Sequence, residues 1–329
     1  MSYIKLEIAD LAGTREKIRA AFLQQDKSIS EIKDSVNIHY AKPFKTRKVF
    51  AVDSGFNSAY ETTFVLVKAA VVNEEMEVDR CEEIYFFHVN NYQTDHLKRL
   101  LMQQSLYEAL NKTVQSGKAD GSMVLVDGTI TLNVFYPTLK DRREYRKHFT
   151  DFYEQLYSPL IDQCLKRNIN ILGFLKRSGS TYLADHLGIR GTYDINIINS
   201  LLRENGQYIG PIPVIDTNAD RAKIHHKYVT FYLNLKNWNY RFDLLKEQEH
   251  TCEESIKNLL ILATEAHYGM NPIFSKADEY ARVTKREADL KFDYITHELD
   301  EEGRTRLRLD ARKKTHFGYS SRRFLGRLL

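Results

Sequence analysis

The chain repeats one short pattern, four apolar residues followed by an aspartate, as Val49-Phe50-Ala51-Val52-Asp53 and again as Met123-Val124-Leu125-Val126-Asp127. Apolar runs of this length are typical of strands in the interior of a sheet, and here each is expected to end at its aspartate. If the two strands lie side by side, two carboxylates meet. Carboxylate oxygens are the ligands that magnesium and manganese prefer. The alternative role for each aspartate is to cap the turn that follows its strand.

The segments around these two strands predict an α/β fold with a mixed sheet flanked by helices. Residues 48–53, 62–72 and 83–89 favour strands with no helix between them, which predicts an antiparallel meander. Helix and strand then alternate, which indicates parallel pairing through crossover helices. The alternating elements are 95–114, 122–127, 142–166 and 169–175. This order is that of the ribonuclease H-like fold, and function still has to be argued from the site.

Further elements flank this core. Residues 11–32 have a helical pattern, and a break that includes Pro43 follows. The C-terminal side is expected to add a strand pair at 228–235 and 240–245 and helices at 249–266 and 272–290, with Pro272 in the first turn of the last. Since the sequence has no repeat or low-complexity linker, we expect one elaborated domain. The expected divisions are an N-terminal helical segment at 1–45, a main domain at 46–300 and a basic tail at 301–329.

Composition excludes several classes of protein. The 329 residues are 43% hydrophobic and 28% charged, as in ordinary globular proteins, and no apolar run reaches the roughly 18 residues of a membrane span. The first residues lack the apolar stretch of a signal peptide, so we expect a cytoplasmic protein without membrane partners. The three cysteines form no C-x-x-C pair, and no Walker A loop is present. We therefore expect neither a disulfide framework nor a thiolate zinc site, and no intrinsic ATP hydrolysis.

Positive charge is concentrated at the C-terminus. Beyond Arg304 the sequence contains many arginines and lysines, among them Arg322 and Arg323, with Asp310 as the one acidic residue. Such a tail suits a polyanion or an acidic partner surface. The alternative is a solvated tail that aids solubility.

Other polar residues are candidates to complete the site. Glu108 stands in the predicted helix 95–114 beside buried-type leucines, and Asp278 borders the apolar face of the helix that begins at Pro272. His267 is a further candidate for a metal or a phosphate. The alternatives are a surface glutamate, which helices favour in any case, and a structural histidine.

A cationic turn follows the predicted strand 169–175. Lys176, Arg177 and Ser178 bring two cations and a hydroxyl to one place, which suits a phosphate. The aromatic residues Tyr182 and Trp238 are candidates for stacking on an unpaired base, and a core role for Trp238 is the alternative.

At this point the sequence resembles the NurA family of metal-dependent nucleases. The resemblance is carried by Ala51-Val52-Asp53-Ser54-Gly55, Leu125-Val126-Asp127-Gly128-Thr129, the segment 173–178 and the segment 272–282, in the family's order. It implies a ribonuclease H-like core, a 5′ to 3′ DNA nuclease that works beside a hexameric HerA-type ATPase, a homodimer around a DNA channel, and a role in DNA end resection for homologous recombination and repair.

The resemblance also implies roles for single residues. Asp53 and Asp127 match the strand carboxylates of the family, and Lys176 matches its lysine. The family's helix glutamate falls where this sequence has Gln103 and Gln104, so Glu108 is the substitute. Asp278 stands where the family's C-terminal metal or phosphate residue is a histidine.

These observations predict a nuclease that hydrolyses DNA phosphodiesters. Asp53, Asp127, Glu108 and Asp278 would hold two Mn²⁺ or Mg²⁺ ions, with His267 as a further candidate, and Lys176 would neutralise the phosphate. One alternative is a non-catalytic scaffold that binds DNA or an ATPase through its basic tail. Another is a ribonuclease H-like nuclease that acts on RNA, because discrimination depends on contacts to the 2′-hydroxyl.

Removal of the tail after about Arg304 should weaken affinity without removing a proposed ligand. If the tail binds DNA, the slope of log affinity against log salt should become shallower by about 0.7 to 0.9 per lost phosphate contact. If the tail binds the ATPase, that slope should stay unchanged while co-purification with the ATPase fails. A truncated chain that equals the full chain in both measurements would identify the tail as a solvated terminus.

Overall fold

The computed structural model describes residues 36–59, 64–86, 94–137, 143–176, 179–189, 192–215, 219, 222–264, 272–299 and 301. The predicted helix at 11–32 and the basic tail beyond Glu301 lie outside the described residues. The chain divides into two compact units. The first unit takes its residues from 1–47, 125–133 and 170–271, and the second from 48–124, 134–169 and 272–329.

The strands of the described chain are β1 (His39–Tyr40), β2 (Val49–Ser58), β3 (Phe64–Asn73), β4 (Val78–Phe86), β5 (Met123–Asp127), β6 (Asn170–Leu175), β7 (Gln207–Pro213), β8 (Tyr228–Leu235) and β9 (Trp238–Leu245). The α-helices are α1 (Thr94–Gln115), α2 (Arg143–Phe152), α3 (Ser158–Lys166), α4 (Tyr182–His186), α5 (Asp194–Leu201), α6 (Cys252–Thr264), α7 (Pro272–Ala281) and α8 (Lys285–Glu298). A π-helical turn, Tyr153–Tyr157, joins α2 to α3.

The second unit is built on the antiparallel meander β2-β3-β4. Strand β3 is almost wholly apolar and buried because helices cover both of its faces, α1 on one side and α7 with α8 on the other. Its one charged residue, Lys68, forms an ion pair with Glu287 of α8. The predicted meander is therefore confirmed. The first strand, however, continues five residues past Asp53, so the expectation that Asp53 ends its strand is wrong.

The first unit holds the strand order β1-β7-β8-β9-β6-β5, and β5 is itself divided between the units after Val124. Its pairs β7-β8, β8-β9 and β9-β6 are antiparallel. A core under this sheet joins α4 and α5 to β7 and β8. The buried members of this core are Leu183, Ala184, Ile197, Ile198, Leu201, Leu202, Ile209, Ile212 and Tyr232.

The fold class expected from sequence, a mixed sheet of parallel and antiparallel strands flanked by helices, is confirmed. The predicted helix 272–290 is wrong in one respect, because two helices occupy that range. Thr284 is the N-cap of the second of them, and its hydroxyl accepts a hydrogen bond from the backbone amide of Glu287 at 3.1 Å. This is the N-cap arrangement that starts a new helix. Strands β1 and β7 and helices α4 and α5 were not predicted.

Among the described helices, none combines the length and apolar character that crossing a bilayer requires.

Candidate functional site

Asp53 lies inside the second unit, in the middle of β2. Its side chain is nine-tenths buried, and its Oδ1 accepts a hydrogen bond from the backbone amide of Ser54 at 2.7 Å. Two residues later a Cβ on Gly55 would stand 2.6 Å from the carbonyl oxygen of Ala281, the last residue of α7. Alternate residues of a strand share a face. Asp53 therefore projects to the sheet face that α7 covers, and glycine follows because α7 leaves no room for a side chain.

Asp127 and Lys176 form an ion pair inside the first unit. Nζ of Lys176 donates to Oδ2 of Asp127 at 2.7 Å, and the two side chains are 32% and 22% exposed. Asp127 ends β5, as predicted, and Lys176 directly follows β6. The backbone amide of Gly128 donates to the carbonyl oxygen of Phe174 at 2.9 Å, so the ends of the two strands are joined beside the ion pair. The structure thus brings these two predicted site residues together.

The loop after Asp127 is held by a buried network. The Thr129 hydroxyl donates to Oδ2 of Asp243 at 2.7 Å, and Nε and Nη2 of Arg241 donate to the two oxygens of the same carboxylate at 2.7 and 2.8 Å. Asp243 is fully buried and Arg241 is 5% exposed. From β6, a Cβ on Gly173 would meet the carbonyl oxygen of Gly128 at 2.7 Å. The backbone that carries Asp127 is therefore fixed from two sides.

Glu108 has other partners. It lies on α1, where its Oε1 accepts a hydrogen bond from Nε2 of Gln104 at 2.8 Å, and it is hydrogen-bonded to Glu83 of β4. In the unbroken register of the meander, Glu83 pairs with Val67 and Val67 with Phe56. Phe56 lies three residues after Asp53 on the same strand, so Phe56, Val67 and Glu83 project to the opposite face of the sheet from Asp53. Glu108 therefore lies on the α1 face of this sheet, and the structure does not bring it to the face of Asp53. Its role as a ligand stays a prediction.

The pKa values of Glu108 and Glu83 are shifted in opposite directions. Burial, with the neighbouring Glu83, raises the pKa of Glu108 to about 7. Burial also acts to raise the pKa of Glu83, but hydrogen bonds from Glu108, Tyr85 and Ser105 outweigh it and hold that pKa below its usual value. Below about pH 7 the arrangement is thus a mostly protonated Glu108 that donates to an ionised Glu83.

Cys81 completes a possible cation site with these glutamates. One ligand atom from each of Cys81, Glu83 and Glu108 lies within 4.8 Å of the others, and no other group of three such residues was found in the described part of the chain. Burial raises the pKa of the Cys81 thiol to about 11, which favours the protonated form over the thiolate that binds metals. The sequence analysis missed Glu83, because a glutamate on an edge strand gives no signal of a partner on α1.

The remaining candidates fall in three groups. Asp278 is exposed on α7, and its Oδ2 accepts a hydrogen bond from Arg282 at 2.6 Å, as in an ordinary surface pair. The predicted residues Arg177, Ser178, His267, Arg322 and Arg323 lie outside the described residues. Tyr182 has a structural environment, since its hydroxyl accepts from Nδ2 of Asn133 at 2.8 Å and its ring lies 4.6 Å from the Arg241 guanidinium.

Comparisons with known proteins agree with this architecture. A family model described as "NurA domain" matches residues 47–283. The NurA nuclease from Sulfolobus solfataricus is similar over 90% of this chain and 99% of its own, at 18% identity and a TM-score of 0.67. A NurA structure bound to dAMP and manganese matches over 92% of this chain and 100% of its own, at 11% identity and a TM-score of 0.57. Comparison with curated proteins gave no match.

Replacement of Glu108 by glutamine should make stability less dependent on pH. The folded pKa of about 7 stands above the usual 4.5, so folding binds a proton between these values and stability falls as pH rises through that window. Glutamine keeps the donor to Glu83 without the acid. The Tm of Glu108→Gln relative to wild type should therefore rise from pH 4.5 to pH 8.

Glu279→Gln, on an exposed glutamate that pairs with Lys276, is the matched control and should show no such trend. A Glu108→Gln variant whose melting temperature follows that of the wild type at every pH would contradict the shared proton.

Replacement of Asp243 by asparagine should destabilise the protein strongly. The change leaves Arg241 buried without its carboxylate, and loss of one partner of a buried pair costs about 3–5 kcal/mol. Asp120→Asn is the control, because Asp120 pairs with Arg167 at 3.2 Å on the surface and such pairs contribute up to about 1 kcal/mol. Urea unfolding measures both variants, and equal stability of the two would show that the network does not support the loop.

Proposed function

The chain belongs to the NurA family, and on this premise we propose that it is a metal-dependent nuclease that hydrolyses DNA phosphodiesters. Two relatives support the reaction class, since one is named a nuclease and another holds dAMP with manganese. The observation in this chain that carries the proposal is the 2.7 Å ion pair between Lys176 and Asp127. In this pair the ammonium of Lys176, which can bind a phosphate, lies beside the carboxylate of Asp127, which can bind a metal ion.

The donor set fits a hard divalent cation. Asp53 is buried on its strand, where a carboxylate contributes little to packing, and Asp127 stands partly exposed at the end of β5. Both supply the oxygen ligands that Mg²⁺ and Mn²⁺ take. We propose that Asp53 and Asp127 are each a ligand of Mn²⁺ or Mg²⁺ and that the protein takes up two such ions. When bound, such ions activate water and stabilise the charge of the phosphate.

The side chains of the chain itself have separate tasks in this proposal. Lys176 binds a non-bridging phosphate oxygen and neutralises its charge. The buried Arg241 and Asp243 are positioning residues, because they hold Thr129 and so fix the loop that follows Asp127. A site held in this way loses little free energy to reorganisation during the reaction.

The finer assignments rest on the family resemblance. We propose endonuclease activity on single-stranded DNA and 5′ to 3′ exonuclease activity in DNA end resection, for homologous recombination and repair. We further propose a homodimer, a hexameric HerA-type ATPase as partner, and a cytoplasmic location. A non-catalytic scaffold and a nuclease for RNA remain the alternatives, and cleavage assays on matched DNA and RNA strands separate all three.

Asp127→Asn and Asp53→Asn should each lower DNA cleavage by at least about 100-fold. Asparagine keeps the shape but removes the charge that holds the cation, and a loss of several kcal/mol at about 1.4 kcal/mol per decade gives a change of that size. Cleavage of labelled linear DNA with Mn²⁺ measures the effect, and thermal unfolding checks the fold. Asp120→Asn is the surface control. Near wild-type cleavage by both site variants would contradict the assignment of the metal ligands.

A further inference from the structure

A tight hairpin turn presents the single tryptophan of the chain to solvent. Leu235 and Trp238 close the β8-β9 pair, and the two residues between them, Lys236 and Asn237, have positive φ angles of 49° and 72°. Two-residue hairpin loops favour this conformation because it matches the twist of the flanking strands. The turn therefore sets the backbone at Trp238, and 63% of this residue is exposed.

Asparagine side chains tie this hairpin to α5. Nδ2 of Asn234 donates to Oδ1 of Asn239 at 2.9 Å, and Oδ1 of Asn234 accepts from the backbone amide of Asn237 at 3.1 Å. Nδ2 of Asn239 then donates to Oδ1 of Asn199 at 3.0 Å and to the carbonyl oxygen of Leu202 at 3.2 Å. These bonds order the turn before any ligand arrives, which lowers the entropic cost of binding.

An open cavity of about 590 Å³ lies at this hairpin. Small-molecule sites have volumes of roughly 300–1,000 Å³, so the cavity has room for a single nucleotide. Its lining includes the rings of Trp238 and Tyr240, the amide of Asn199 and the cations of Lys176 and Arg203. We call this cavity the Trp238 pocket.

The lining chemistry selects one class of ligand. An exposed tryptophan ring offers a stacking surface to any base, and an amide can bond to a base edge. Arg203 and Lys176 supply positive charge for a phosphate, and the described residues that line the pocket include no acidic side chain. Rings, amides and positively charged side chains together match an anionic aromatic ligand better than a hydrophobic peptide.

The pocket and the proposed cleavage site share one residue. Lys176 lines the pocket and also donates to Asp127 at 2.7 Å. A ligand in the pocket can therefore contact the lysine that pairs with the carboxylate that we assign to the metal. A nucleotide adjacent to the cleaved phosphodiester of a nucleic acid strand fits this position.

We propose that the Trp238 pocket binds one unpaired nucleotide of a single-stranded nucleic acid, with its base stacked on Trp238 and its phosphate at Arg203. The occupied pocket directs the adjacent phosphodiester toward Asp127 and Lys176. The role of the pocket in directing the phosphodiester rests on the proposed nuclease function, but nucleotide binding can be measured without cleavage.

The single tryptophan makes the test direct, because all tryptophan fluorescence of the chain arises at Trp238. The full chain is titrated in EDTA with an unlabelled oligo(dT) strand and with a duplex of the same length, while anisotropy of labelled strands reports total binding. Stacking should quench the fluorescence with single strands and leave it nearly unchanged with blunt duplex, in which the bases are paired. Single-strand binding without quenching would overturn the proposal, and so would a failure of single strands to bind.

Variants separate stacking from other causes. Trp238→Ala should weaken oligo(dT) binding by roughly 5- to 100-fold, and Trp238→Phe should restore most of it because a stacking face remains. Arg203→Gln should make the salt dependence of single-strand binding shallower by about 0.7 of a slope unit. Tyr294→Ala removes an equally exposed aromatic from α8 and should change nothing. Unaltered oligo(dT) affinity of Trp238→Ala would overturn the proposal that the Trp238 pocket binds a nucleotide.

The outcome for the pocket is independent of the outcome for catalysis. Cleavage of DNA by the wild type with Mn²⁺ is measured in parallel. Quenching without cleavage supports the pocket and removes the nuclease assignment. Cleavage without quenching keeps the nuclease assignment and removes the pocket.

Discussion

The buried ion pair between Arg241 and Asp243 is the interaction on which the candidate site depends most. Both side chains are withdrawn from water, and the carboxylate accepts two bonds from the guanidinium and one from Thr129. A pair in such surroundings is stable only when all its bonding groups are used. Thr129 belongs to the loop after Asp127. The hydrogen bond that Asp243 needs from Thr129 therefore also fixes the loop beside the proposed metal ligand Asp127. The close approach of Gly173 reinforces it, because no larger residue fits against that loop.

Strand alternation sets the second constraint, since it assigns each carboxylate of the meander to a face. Asp53 shares its face with Gly55 and α7, whereas Glu83 and Glu108 occupy the face under α1. A one-residue step along a strand reverses the direction of the side chain. Asp53 and the pair Glu83–Glu108 thus lie on opposite faces of the meander. A protonated Glu108 offers no carboxylate charge to a cation, which leaves Asp53 as the better candidate ligand.

Local patterns in the sequence predicted the fold better than the site. Apolar runs and leucine spacing located the meander, α1 and the strands that carry Asp127 and Lys176, because these signals arise within a few residues. The break before Thr284 was missed, although the capping pattern was visible in the sequence. Contacts between distant segments gave no signal at all: the pairing of Asp243 with Thr129 spans 114 positions. The partner of Glu108 was missed for the same reason, since neither helical spacing nor β-propensity encodes which strand a helix covers.

Lys176 links the proposed metal ligand Asp127 to the Trp238 pocket. Its ammonium carries a single positive charge, yet it contacts Asp127 and lines the Trp238 pocket. The carboxylate of Asp127 holds this ammonium, so the phosphodiester adjacent to the pocket nucleotide would compete with Asp127 for the same cation. A phosphate that draws the ammonium away leaves Asp127 with more negative charge to offer a divalent ion. Under the proposed function, substrate and metal would then favour each other's binding, because Lys176 releases the carboxylate of Asp127 when it binds the phosphate.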